Sequence, residues 1–125
     1  MEGYSVTVVE CSKELTAKER IKIKDISDAI KLDSAVDPES TLEIVPDITA
    51  TLKVHNEKSD NKDYNVFVII DKDGKKYITG SESFKQSYKD IEKEMDGETE
   101  AWAISVYKIE SKNYKGRYFI TCSII

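Results

Sequence analysis

Apolar and polar positions alternate most clearly in the second half of the chain. Ile48, Ala50, Leu52 and Val54 interleave with Thr49, Thr51, Lys53 and His55, the period of two that gives a strand one buried face. Tyr64 to Ile70 is the most apolar stretch and reads as a central strand, with Tyr64, Val66, Val68 and Ile70 on one face and Phe67 and Ile69 on the other. Asp71-Lys72-Asp73-Gly74 turns it into a strand over Lys75 to Thr79, because an Asp-Gly pair supplies the positive φ of a tight hairpin. Ser83 and Gln86 have capping-box spacing, and Phe84, Ser87, Tyr88, Ile91 and Met95 follow at helical spacing, which predicts an amphipathic helix closing near Gly97. Ala101 to Ile109 and Tyr118 to Ile125 form a last hairpin around Ser111 to Gly116, with Trp102, Ile104 and Val106 on one face. Trp102 and Phe67 are assigned to the core.

The first half is less regular. Tyr4 to Val9 is apolar and β-branched and predicts a short strand. Thr16 and Glu19 also have capping-box spacing, but the alternation Ile21-Lys22-Ile23-Lys24 is strand-like, so a turn or short helix is expected before a strand at about Arg20 to Asp25. Asp25 to Asp47 reads as a long connection with short extended pieces at Ala29 to Leu32 and Leu42 to Val45. The expected fold is thus mainly β, a single domain over 1–125. Residues 48–125 form a five-stranded OB-like barrel with one helix between its third and fourth strands, and an N-terminal arm over 1–47 adds one or two strands.

At 125 residues the chain can bury a core without a disulfide or structural metal. Its longest apolar run, Val66 to Ile70, is too short for a membrane span, and no secretory signal is visible, so a soluble cytoplasmic protein with no membrane partner is expected. Cys11 and Cys122 lie far apart without neighbouring ligands and read as free structural thiols. The net charge of −5 resides in residues 1–50, which hold eleven acids against six bases, whereas residues 51–125 hold thirteen of each. Inside that balanced part, Tyr107 to Arg117 sets Lys108, Lys112, Lys115 and Arg117 against Glu110 alone.

That basic segment carries the strongest candidate chemistry. In Ser111-Lys112-Asn113-Tyr114-Lys115-Gly116-Arg117 a tyrosine flanked by cations can stack a base while neutralising phosphates, with stacking worth about 1–3 kcal/mol per base. The plainer alternative is a solubilised turn whose tyrosine packs on the sheet edge. Tyr64, Tyr77, Tyr107 and Tyr118 fall on strands, where an amphipathic ring suits a wet stacking platform. Asp71-Lys72-Asp73-Gly74 lacks the further ligands of a calcium loop and reads as a turn. His55 is the sole histidine, and there is no nucleophile motif, phosphate loop or metal spacing, so neither an enzyme nor a cofactor is expected.

The wording YNVFVIIDKDGKKYITGSESF over Tyr64 to Phe84, continuing into QSYKDI and resuming as KIESKNYKGRYFITCSII from Lys108, resembles the single-stranded-DNA-binding replication proteins of phages that infect Gram-positive bacteria. The resemblance covers roughly residues 48–125. It implies an OB-like barrel that coats single strands in replication or recombination without chemistry, in a host cytoplasm, alongside phage replication or recombination proteins. By resemblance the site includes Lys112, Tyr114, Lys115, Arg117 and Tyr77. The barrel reading adds Tyr64, Lys53, Lys75 and Lys108, because an OB groove is lined by its second and third strands and adjoining loops. A homodimer through the terminal strand is a further expectation. The rival reading is an acidic phage protein that binds and inhibits a host protein by imitating nucleic acid, supported by the acidic arm and the run from Asp90 to Glu100.

Overall fold

The computed structural model describes residues 3–58, 60 and 62–125. In chain order the elements are β1 (Tyr4–Cys11), α1 (Ala17–Lys24), β2 (Ile30–Lys31), α2 (Leu32–Ala35), β3 (Leu42–Ile44), β4 (Pro46–Asn56), β5 (Asp63–Asp71), β6 (Lys76–Thr79), α3 (Glu82–Glu94), β7 (Ile104–Glu110) and β8 (Tyr118–Ile124). The protein is mainly β. No helix among the described residues is long and apolar enough to cross a membrane.

The strands form two sheets, ordered β1-β4-β5-β6-β2 and β3-β7-β8, and no closed barrel forms among the described residues. The five strands expected in one barrel are all present, but three lie in the first sheet and two in the second. The arm explains the difference. Instead of one or two extra strands it supplies three, and they pair along β4, β6 and β7, edges that barrel closure would require.

The chain divides into two compact units, one of Met1–Ile30 with Asp47–Gly80 and one of Lys31–Pro46 with Ser81–Ile125. In the first, Ile48, Ala50, Leu52 and Val54 of β4 pack with Val66 and Val68 of β5, Leu15, and Ile23 of α1. This is the face the alternation marked. The opposite face is out of water too, since Thr49, Thr51, Phe67, Ile69, Tyr77 and Thr79 are buried. β5 turns into β6 at Gly74, whose φ of +88° favours glycine. Asp71 Oδ1 fastens that turn by accepting from the backbone N–H groups of Asp73 and Lys75 at 2.9 and 2.8 Å.

The strand expected at Arg20 to Asp25 is instead the helix α1. Its capping box is complete: Thr16 Oγ1 accepts from the Glu19 N–H at 3.2 Å and Glu19 Oε1 from the Thr16 N–H at 3.0 Å. At its other end Lys76 Nζ donates to the carbonyls of Lys22 and Asp25. Two isoleucines two apart would share one face of a strand, but on the helix they point to opposite sides and only Ile23 is buried, at 1% exposure against 70% for Ile21.

In the second unit Ile104 and Val106 of β7 and Ile120 and Cys122 of β8 are buried, along with Ile44, Leu32, Val36, Phe84 and Tyr88. Helix α3 lies along β8, and Thr121 Oγ1 donates to Ser87 Oγ at 3.3 Å. Its cap is Ser81, not Ser83, with Ser81 Oγ accepting from the Phe84 N–H at 3.2 Å. Trp102 is half-buried, its ring 6.0 Å from that of Tyr88. Burial pushes the Cys122 thiol up to about 11, which keeps it protonated and unreactive.

Candidate nucleic-acid interface

β7 and β8 pair from Ile104 opposite Ile124 to Glu110 opposite Tyr118. The ladder continues one step further, with Ser111 N–H donating to the Arg117 carbonyl at 2.8 Å. Residues 112–116 then close the loop. Arg117 N–H bonds the Tyr114 carbonyl at 3.2 Å, and Gly116 takes a φ of +81°, a conformation costly for a side chain.

The loop displays Lys112, Asn113, Tyr114, Lys115 and Arg117 to solvent. Tyr114 is 64% exposed, so its ring does not pack on the sheet edge. The Arg117 guanidinium carbon lies 5.9 Å from the ring centroid, near the outer limit of a cation–π contact. Among the described residues none of Lys108, Lys112, Lys115 and Arg117 is ion-paired with a carboxylate. Their charge is open to a partner.

Directly opposed residues in an antiparallel pair share a face. Lys108 and Glu110 therefore stand with Tyr118 and Ile120 on one face of the hairpin, and Tyr107 and Ile109 with Phe119 and Thr121 on the other. Core contact begins at Ile120. Beyond it Tyr118 is 45%, Phe119 39% and Ile109 40% exposed, so the far end of the hairpin is aromatic on both sides. Of these, Tyr118 was named among the strand tyrosines but not placed in the sequence-based site. The available signal was position: Tyr118 follows the loop immediately, on the same face as Ile120 but too early in the strand for the core to cover it.

The structure gathers Lys108, Lys112, Tyr114, Lys115 and Arg117 on this hairpin, and the other four sequence-derived residues belong to the other unit. Lys53 is exposed on β4 opposite Thr7, and its charge helps lower the Asp63 pKa. Tyr64 is half-buried against the β4–β5 core. Tyr77 requires a correction: at 5% exposure its ring face is not available to a base, and burial, with Asp71 and Asp73 nearby, raises its pKa. The resemblance placed the tyrosine in the site, and nothing in the strand's alternation reveals that both faces of this sheet are buried.

Lys75 is exposed beside a cleft of about 550 Å³ lined by Lys22, Lys76, Asp25, Asp28 and two isoleucines. Lys76 is engaged at the end of α1, and the two aspartates offset the remaining lysines, so the cleft does not favour an anion. His55 lies between two carboxylates, with Nδ1 2.8 Å from Asp63 Oδ1 and Nε2 2.6 Å from Glu57 Oε1. With both nitrogens acting as donors the ring holds a charge and is not free to act as a base. Comparison with family models, curated proteins and solved structures returned no match.

Proposed function

We propose that the protein is a non-enzymatic, sequence-tolerant binder of single-stranded DNA that serves phage replication or recombination in the host cytoplasm. The observation that carries this reading is the far end of the β7–β8 hairpin, where an exposed Tyr114 and Tyr118 are accompanied by Lys108, Lys112, Lys115 and Arg117 with only Glu110 against them. Each base has a π face that a tyrosine can stack, and the cations neutralise phosphates whatever the sequence. The resemblance of Tyr64 to Phe84 and Lys108 to Ile125 to phage single-strand-binding proteins points the same way.

The test is fluorescence anisotropy of a labelled oligo-dT at low salt, with matching duplex as competitor. Micromolar or tighter binding that resists duplex is expected. Tyr114→Ala should weaken it about tenfold, the loss of one stacked base. Glu110→Gln should tighten it severalfold, because the carboxylate shares a face with Tyr118 and Lys108 and repels the backbone. If neither substitution moves the affinity, the hairpin is not the site. No oligo-dT binding at all would leave the host-protein inhibitor as the better reading.

A further inference from the structure

A single strand following one face of a β-hairpin leaves the other face unused, yet this hairpin exposes aromatic and apolar side chains on both. Tyr118 stands on the face of Lys108 and Glu110, while Phe119 stands opposite Ile109 on the reverse face. A large apolar pair, 39% and 40% exposed beside the loop, has a cost unless something covers it. The charge around it indicates what: Lys112 and Lys115 are exposed in the loop that joins the two strands, and Arg117 is exposed at its exit, so cations border the pair.

We propose that the hairpin engages two nucleic-acid strands at once, one on each face, and that its preferred target is the fork where a duplex opens into two single strands. This rests on the single-strand reading above. The Tyr118 face takes one strand as that reading requires, and the Phe119–Ile109 face stacks the first unpaired bases of the other. The loop cations lie where both backbones diverge, and linking two weak contacts on one rigid element multiplies their affinities.

The experiment uses the full chain and three labelled DNAs with arms of equal length: a single strand, a duplex with one single-stranded tail, and a duplex with two splayed tails. The splayed fork is expected to bind about tenfold or more tighter than the tailed duplex. Phe119→Ala and Ile109→Ser should each bring fork affinity down to that of the tailed duplex while leaving oligo-dT binding within about twofold. If one variant fails to fold by circular dichroism, the other and the wild-type ratio still decide. Equal affinity for fork and tailed duplex, with oligo-dT bound, overturns the two-strand proposal and leaves the single-strand reading standing. Parallel loss of oligo-dT and fork binding in a folded variant also overturns it, since both faces would then serve one strand. No oligo-dT binding by the wild type overturns both.

Discussion

A neutral imidazole has one N–H, so His55 can donate to both Asp63 and Glu57 only when protonated. The hydrogen bond to Asp63, then that to Glu57, raises its pKa above the ordinary 6.5, and the same contacts lower both carboxylates. The signs follow from linkage. The histidine's contribution is fully present below its unfolded value and is lost as pH rises through the raised folded value. The carboxylates' contribution is present above their unfolded values and is lost as pH falls through the lowered ones. The clasp across the β4–β5 connection is therefore strongest in the mildly acidic window, above the ordinary carboxylate values and below 6.5. The His55 ring protons, followed by NMR, should titrate above 6.5 in the folded protein and return toward it in Asp63→Asn. A midpoint below 6.5 in the wild type would contradict the geometry.

Among the elements, those bounded by turn chemistry were legible in the sequence. β5 and β6 follow from the Asp71-to-Gly74 turn, β7 and β8 from the loop between them, and α3 from its apolar stripe, displaced only in which serine caps it. α1 was not, because four alternating residues carry too little pattern to separate a period of two from one of 3.6. The decisive information was the cap at Thr16 together with the Lys76 ammonium, which arrives from fifty-four positions away. The two assignments differ in energetics. In a half-buried strand Ile21 and Ile23 would share a face and cost alike on truncation. In the helix Ile23→Ala should cost about 2–4 kcal/mol, Ile21→Ala almost nothing, and Thr16→Ala about 1 kcal/mol. Urea denaturation of the three variants measures this, and equal costs for the two isoleucines would restore the strand.

At the scale of the whole chain, strand order was legible and strand pairing was not, since a turn specifies only the hairpin it closes. β3 meets β7 across some sixty residues, and no local pattern announces that partnership. The same limit applies to charge: the total of −5 understates how far charges segregate. The unit containing the hairpin holds twelve acids and eight bases, yet residues 104–125 within it hold one acid and four bases, leaving eleven acids and four bases for the remainder. A partner at the tip meets four cations and one carboxylate, and the repulsion from the acidic remainder is weakened by salt. If the four hairpin cations each neutralise one phosphate, log affinity should fall with log salt at a slope of about −3, since single strands release roughly 0.7 counterion per contact. Screening of the acidic remainder works in the opposite direction and makes the observed slope somewhat shallower. Replacing Lys112 and Lys115 by alanine should remove about 1.4 from that slope, whereas Glu98→Gln with Glu100→Gln should raise affinity at low salt and converge on wild type at high salt. A slope unchanged by the lysine pair would mean that phosphate is held elsewhere, and the segregation of charge within this unit would then have no part in binding.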